Sequence, residues 1–319
     1  MKQKRLLDAL ELLREQYRQL NWTCHDFIIE EWEEKIYRWP APQEDNIAVV
    51  VHQSRGMQET FHRHDFFYFN YTYRGEYDCL SSKYGDKLTI QTGEIYAGQP
   101  FAGHALCVHD DQETVIIGVL IRRDYFFRAF LPELSSNSKL FHFFLDPASN
   151  SFSEEYIHFK IPDDCAVRSL LELMVVEYAR RCPDTQELLK PLTMAFLVQI
   201  VRQYALSQQV PCSENLSEQI VQYMREHFDS VSLKSIAEHF SYHPNYISAL
   251  LRKETGKTFS RFLLEQRMER AVIFLRETDL PVQEIAARLG YSNSSNFYKA
   301  FREYFHVSPR EYLSGDQER

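Results

Sequence analysis

Four absences in this 319-residue sequence each close off a class of function. No run of about 18 apolar residues occurs, so no segment is expected to span a membrane. The start, Met1-Lys2-Gln3-Lys4-Arg5, is basic but runs into a charged amphipathic stretch instead of an apolar core, so no secretory leader is expected. Six cysteines, Cys24, Cys79, Cys107, Cys165, Cys182 and Cys212, form no C-x-x-C pair. They read as small buried hydrophobes in a reducing compartment, which points to the cytosol and away from a disulfide framework. Surplus positive charge is missing too: the net charge is −9, which argues against DNA binding, since a nucleic-acid domain usually shows a basic footprint. With 44% apolar and 25% charged residues, the chain is of ordinary globular composition, long enough for two domains.

What is present is one helical pattern written twice. Leu233-Lys-Ser-Ile-Ala-Glu-His-Phe-Ser241 opens one copy and Val282-Gln-Glu-Ile-Ala-Ala-Arg-Leu-Gly290 the other. In each, an Ile-Ala step and a closing apolar residue lead to a small residue, Ser241 or Gly290, where a tight turn can reverse the chain before a second amphipathic helix. The spacing predicts helices over 216–228, 233–240, 244–255, 258–277, 281–289, 294–305 and 309–313. Pro244 suits a first helical turn, Gly256 the position past a helix end, and Ser292 or Asn293 can cap the helix after it. Thr258–Glu277 makes roughly 30 Å of rigid helix, close to the ~34 Å between successive major grooves on one DNA face.

This outline of two helix-turn-helix units is suited to reading DNA. Residues 213–319 hold 14 Lys+Arg against 15 Asp+Glu and the remainder 22 against 30, so the C-terminal part is near neutral. Its cations Arg252, Lys253, Lys299 and Arg302 fall on the second helix of each pair. Asn245, Ser248 and Ala249 in the first unit and Ser294, Ser295, Asn296 and Lys299 in the second are the candidates for base edges, with Arg252, Lys253 and Arg302 for phosphate. Ile236, Phe240, Ile247, Leu250, Phe297 and Phe301 are the expected core.

The N-terminal half differs in texture. Leu6, Leu10, Leu13, Tyr17 and Leu20 form one stripe of a helix over 3–20. Short β-type runs follow at Asn46–His52, Thr60–Tyr73, Tyr77–Ser81, Lys87–Thr92, Glu94–Ala97, His104–His109 and Thr114–Ile121, punctuated by Gly75, Gly85-Asp86, Gly93 and Asp110-Asp111; such a series suggests a barrel or jelly roll. In Thr60–Tyr73 a period of two puts His62, His64, Phe66, Tyr68 and Asn70 on one face. Two helices are expected at 163–182 and 186–207, separated at Pro183-Asp184, the second burying Leu188, Leu192, Ala195, Phe196, Gln199 and Ile200. Ser207–Asn215 is the candidate linker.

Over 216–313 the residues resemble the AraC/XylS family of bacterial transcription regulators: Ile236-Ala237, Tyr246-Ile-Ser248, Arg252-Lys253, Thr255-Gly256, Phe259, Arg267, Ala271, Leu275, Ile285-Ala286, Gly290-Tyr291, Phe297, Phe301-Arg302, Tyr304-Phe305 and Ser308-Pro309 with Tyr312. Departures are Ser241 and His306, each at a usual glycine, and Leu251 at a usual aromatic. In the first half, His62-x-His64 followed by Gly93-Glu-Ile-Tyr-Ala-Gly-Gln-Pro100 and His104 resembles the cupin fold, whose motifs supply three histidines and a glutamate to a metal. The glutamate is absent, because Tyr68 and Phe69 stand four and five positions beyond His64. A three-histidine set would suit zinc, but the expectation is a metal-free pocket with no cofactor, in which His62, His64, Tyr68, Asn70, Tyr96 and His104 contact a ligand, a sugar or glycoside being favoured by the dense aromatics.

Together the resemblances imply an α+β chain. An N-terminal helix and cupin-like effector barrel occupy 1–161, antiparallel dimerisation helices 162–207, a linker 208–215 and an all-α double helix-turn-helix domain 216–319. They also imply a non-enzymatic, cytoplasmic, homodimeric activator whose partners are double-stranded DNA, a small-molecule effector and RNA polymerase. The competing expectations are a metal-dependent cupin enzyme with an appended helical domain, and a DNA-binding protein whose barrel serves only to dimerise.

Overall fold

The structure, a computed structural model, describes residues 2–20, 22–29, 32–81, 87–109, 113–134, 144, 156–207, 216–240 and 242–315. The expected turn at Ser241, the punctuation at Gly85-Asp86 and Asp110-Asp111, Tyr84, Cys212 and the linker 208–215 lie outside them. Two compact units are present: Met1–Phe126 with Asn150–Ser207, and Phe127–Ser149 with Gln208–Arg319. The helices expected to dimerise therefore group with the barrel, and the division falls within a short helix, α2 (Arg123–Ala129), that the sequence pattern did not reveal.

The first unit begins with α1 (Lys2–Gln19) and builds two sheets. One contains β1 (Cys24–Ile29), β2 (Trp32–Tyr37), β5 (His62–His64), β10 (His104–Val108), β7 (Glu76–Ser81) and β8 (Lys87–Gln91) in that order, with β4 (Met57–Gln58) on β10. All its pairings are antiparallel except β2 with β5. The other sheet runs β12 (Tyr156–Lys160), β9 (Glu94–Gly98), β6 (Phe66–Arg74), β11 (Thr114–Arg122), β3 (Ile47–Ser54), antiparallel throughout. β1, β2, β4 and β12 were not anticipated.

The predicted strand Thr60–Tyr73 is in fact two. At Asp65, whose N–H donates to the Tyr37 carbonyl, the chain leaves the first sheet as β5 and enters the second as β6, a strand changing sheets at a bend. Alternation survives the crossing. His62, His64, Phe66, Tyr68 and Asn70 all face one cavity between the sheets, while the opposite face of β6 meets helices α3 (Val167–Arg180) and α4 (Thr185–Ser207). There the Phe69 and Phe196 rings lie edge to face at 5.7 Å, and the Tyr73 hydroxyl donates to Glu172. Both faces of the strand being covered, Phe66–Phe69 are almost wholly buried.

In α3, Val167, Leu171, Met174, Val175 and Tyr178 are buried as the spacing predicts, Leu170 only half so. In α4 the buried stripe is Thr185, Leu189, Thr193, Phe196, Leu197 and Ile200. The predicted Leu188 is instead 48% exposed and Ala195 is exposed; the helix is apolar nearly all round, so its periodicity could not fix the inward face. Val198 and Leu206 on the same helix and Leu173 on α3 are exposed as well. Polar staples attach these helices to the barrel. The Gln186 amide accepts from the Asn46 and Ile47 N–H groups, and buried Asp45 accepts from the Tyr178 hydroxyl and the Arg181 guanidinium.

The second unit contains α5 (Leu216–Glu226), α6 (Leu233–Phe240), α7 (Pro244–Thr255), α8 (Phe259–Glu277), α9 (Val282–Arg288), α10 (Ser294–Phe305) and α11 (Pro309–Gly315), within a few residues of the predicted bounds. Local signals set those bounds. His243 Nδ1 accepts from the Asn245 N–H with Pro244 at the first helical position, Gly256 ends α7 in the left-handed region, Thr258 caps α8, and Asn293, not Ser292, caps α10. Helix α8 is the spine, touching α7, α9, α10 and α11. Ile236, Ile247, Phe297 and Phe301 are core as expected, but Phe240 and Leu250 are only half-buried and Leu251 takes the inward place.

Two glycines share a backbone state with different surroundings. Gly256 (φ 71) is open to a side chain, whereas at Gly290 (φ 78) a Cβ would collide with the Asp229 carbonyl and the Arg267 guanidinium. Gly256→Ala should cost only the left-handed penalty of about 1–2 kcal/mol, and Gly290→Ala about 1–3 kcal/mol more through overpacking. Urea unfolding followed by helical circular dichroism ranks the two; equal losses would refute the steric account.

Candidate nucleic-acid interface and a buried histidine cavity

The space between the sheets is a cavity of about 370 Å³. Its aromatic wall is Tyr17, Trp22, Tyr37, Phe66 and Tyr68, its aliphatic wall Val50, Leu106, Ile116 and Leu120, and its polar groups are His52, Glu59, Thr60, His62, His64, Asn70 and His104. Of the six residues expected to contact a ligand, five are on the wall. Tyr96 is not: it is buried behind Tyr68, the two rings stacked at 6.2 Å, and stacks on Tyr156 at 5.1 Å. Tyr17 and Trp22 were missed because they precede the strand pattern altogether. They come from the last turn of α1 and the segment after it, Tyr17 packing edge-on against His52 at 5.3 Å.

Three histidines converge on this cavity. β10 pairs with β5 so that His104 lies opposite His62, and His64 follows on the same face. His62 Nδ1 lies 2.8 Å from the Thr60 carbonyl oxygen, which can only accept, so that nitrogen carries the proton and Nε2 of the neutral ring is bare. His64 Nε2 lies 3.1 Å away and donates to it. That leaves His64 Nδ1 as a bare nitrogen, buried with no hydrogen-bond partner, which a folded protein seldom tolerates without purpose. Tyr68 hydroxyl and His104 Nδ1 are hydrogen-bonded at 2.9 Å. Burial, reinforced by the neighbouring His62, pushes His64 and His104 well below the usual histidine range. Glu59, whose Oε2 is 4.0 Å from His62 Nε2 and accepts from the Leu106 N–H, is raised by burial. Glu59 stands three residues before His62, whereas the glutamate of the cupin motif would follow His64.

In the second unit, α7 and α10 present the predicted positions outward. Asn245, Ala249, Arg252 and Lys253 on α7 are exposed and Ser248 half-buried; Ser295, Asn296, Lys299 and Arg302 on α10 are exposed and Ser294 half-buried. Ile247 with Leu251, and Phe297 with Phe301, anchor the opposite faces. Asn296 donates from its side chain to the Ser292 hydroxyl at 3.0 Å, which pre-positions its amide. Tyr242, which sequence reasoning passed over, and Tyr246, matched to the family pattern but not proposed as a contact, are stacked at 5.1 Å and exposed at the start of α7. Among the described residues no helix is long and apolar enough to cross a membrane.

Residues 236–315 match a protein family described as a helix-turn-helix domain, of the AraC type. Residues 236–315 are thus a helix-turn-helix domain of the AraC type. The chain is 36% identical over 100 residues to the uncharacterized HTH-type transcriptional regulator YtdP of Bacillus subtilis (strain 168), covering 31% of this chain and 13% of that protein. It is 32% identical over 127 residues to the HTH-type transcriptional activator RhaS of Enterobacter sp. (strain 638), covering 40% of this chain and 46% of the activator. The chain thus spans less than half the length of either relative. Among solved structures, it is similar to the C-terminal domain of AraT, a response regulator from Geobacillus stearothermophilus, with 35% identity, coverage of 32% of this chain and 86% of that chain, and a TM-score of 0.30. The matched domain and these relatives are regulators, not enzymes.

Within the AraC-type domain, His306 closes α10 at φ 63 where Gly256 closes α7. His306→Gly should stabilise the domain by about 1 kcal/mol by releasing the left-handed penalty, read as a higher denaturation midpoint; no gain would show that the imidazole compensates. In the first unit, burial holds His52 down to about 4. Between pH 6.5 and 4 the unfolded chain takes up a proton at this ring that the folded chain does not, so stability must fall as pH falls across that window. His52→Leu should flatten the dependence of melting temperature on pH there, and an unchanged slope would assign it to other groups.

Proposed function

We propose that the protein is a cytoplasmic, DNA-binding transcription regulator in which α7 and α10 enter successive major grooves and the barrel cavity receives a small effector. The observation that carries this reading is the pair of helices with exposed polar faces flanking a spine of 19 residues, roughly 28 Å long, in a domain of a regulator family. Asn245, Ser248, Ala249, Ser294, Ser295, Asn296 and Lys299 would meet base edges, and Arg252, Lys253 and Arg302 phosphates. An overall charge of −9 does not oppose this, because the cations sit on the reading helices.

The cupin-like barrel supports the effector role by its size and chemistry. A cavity of about 370 Å³ with aromatic faces and a few convergent polar groups suits a ligand with C–H faces and hydroxyls, so a sugar or glycoside is the class favoured. The exposed apolar residues of α3 and α4, Leu173, Leu188, Val198 and Leu206, support a homodimer through these helices. Activation through RNA polymerase is the favoured sign, since the RhaS relatives are named activators.

Fluorescence anisotropy with genomic fragments captured by the purified protein tests the reading. Asn296→Ala should lose about 1–3 kcal/mol on the selected site and little on random duplex; Arg302→Ala should weaken both alike and lower the salt slope by about 1. Absence of salt-sensitive duplex binding by the intact chain would overturn the proposal. Thermal shift against a panel of mono- and disaccharides tests the effector class, since a ligand of the folded state must raise the melting temperature.

A further inference from the structure

We propose that the cavity holds a divalent transition-metal ion, ligated by His62, His64 and His104 with Glu59 as the carboxylate ligand. The inference rests on the barrel's own geometry and is independent of the DNA-reading assignment. Ligand atoms of the three histidines all lie within 4.8 Å of one another, and all three are buried.

Ring spacing argues that they face a common point. With metal–nitrogen bonds of about 2.1 Å and each ring centre about 1.2 Å beyond its nitrogen, two imidazoles on one ion stand roughly 4.7 Å apart at a right angle and roughly 5.4 Å apart at the tetrahedral angle. The observed ring separations are 4.8 Å for His62–His64, 4.6 Å for His62–His104 and 5.1 Å for His64–His104. The same geometry asks for nitrogens roughly 3.0–3.4 Å apart; His62 Nε2 and His64 Nε2 are at 3.1 Å. That contact holds the two nitrogens together by a single proton, which an ion would displace. His64 would then turn protonated at Nδ1 and bare at Nε2, and the widest pair would draw in by about an ångström.

Outer partners are already in place for two of the three rings, His64 Nδ1 having none. The Thr60 carbonyl fixes the His62 tautomer with Nε2 bare, as metal-bound histidines require, and the Tyr68 hydroxyl orients His104. Glu59 supplies the negative charge: its Oε2 is 4.0 Å from His62 Nε2 and its position is held by the Leu106 N–H. Imidazole-rich sites with one carboxylate select Zn²⁺, Co²⁺, Ni²⁺ or Fe²⁺ over Ca²⁺ and Mg²⁺.

The test uses the full chain, stripped with chelator and titrated with Zn²⁺ and Co²⁺ by calorimetry and thermal shift, with the Co²⁺ spectrum reporting donor type. One ion per chain, a raised melting temperature and a nitrogen–oxygen spectrum are expected. His64→Gln and His104→Gln should each weaken Co²⁺ binding by roughly tenfold to a hundredfold or more, since loss of outer partners alone costs that much. Glu59→Gln, nearly isosteric, should weaken it with circular dichroism unchanged. No uptake by the folded wild type would overturn the proposal, as would uptake that survives the histidine variants or shows thiolate absorption from the cysteines. Unchanged affinity in Glu59→Gln would remove the carboxylate from the set. Salt-sensitive DNA binding, measured on the same stripped protein, separates failure of this site from failure of the regulator reading.

Discussion

The second unit is organised around one crowded point on the spine helix. Arg267, on α8, donates from Nε to the Phe228 carbonyl at 2.8 Å and from Nη2 to the Asp229 carbonyl at 3.3 Å, and its guanidinium lies over the Tyr291 ring at 5.1 Å. The first pair of contacts satisfies carbonyls at the end of the segment that follows α5; the ring contact grips the residue after the turn between α9 and α10. One side chain therefore ties both helix-turn-helix units to the rod between them. Tyr291 can lie against it only because Gly290 brings the backbone against Asp229 with no side chain intervening. A planar, multiply donating cation is needed here; lysine would satisfy one carbonyl and lose the stacking face. If the two reading helices must keep a fixed separation, this is where it is enforced, and nearby Arg270, buried over the Phe228 ring at 4.4 Å, braces the same joint.

The barrel depends on a different constraint, the strict alternation of β5 and β6. One register puts histidine, histidine, phenylalanine, tyrosine and asparagine on the cavity and Phe67, Phe69, Tyr71 and Tyr73 on the other face. A slip of one residue would exchange the two sets, turning the histidines, Tyr68 and Asn70 out of the cavity. Aromatic packing against Phe126 and Phe196 on that other face is what holds the register that builds the cavity. Site and core are two faces of a single strand.

Helical elements were legible because their signals are local. Pro244, Gly256 and Asn293 each act within one turn, and the apolar spacing of Ile236, Ile247, Phe297 and Phe301 needs no partner to be read, although the same spacing put Leu250 inside where Leu251 is found. Failures came where the information is non-local. Thr60–Tyr73 has an unbroken period of two, and only the pairing of β5 with β2 and β10 shows that Asp65 is a crossing. The inward face of α4 is set by β6 and α3, not by its own composition, so Leu188 could be placed inside as readily as Leu189. Four of the six proposed cavity residues, His62, His64, Tyr68 and Asn70, follow from strand alternation and His104 from the cupin resemblance, whereas Tyr96 lies one layer behind. Glu59 was not legible because the motif glutamate has a fixed offset after His64, while folding brings in this carboxylate from the strand-to-strand connection before His62.

Helix α1 gives the cavity a mechanical connection within its own unit. Its Tyr17 is on the cavity wall against His52, and the helix also packs on α3 and β3. An occupant of the cavity would press on Tyr17 and Trp22, and any displacement of α1 would be felt by α3, whose neighbour α4 carries the exposed apolar side chains. Such a path can transmit a signal only if the occupant binds one placement of α1 more tightly than another. The aromatic contacts of Tyr17 with Trp22 and His52, at 5.6 and 5.3 Å, are individually worth about 0.5–1.5 kcal/mol, comparable to the coupling energies of typical regulated proteins. Exchange of these few ring contacts for contacts with the proposed ligand would be of the magnitude needed to bias the helix, with no need to disturb the closely packed sheet beneath it.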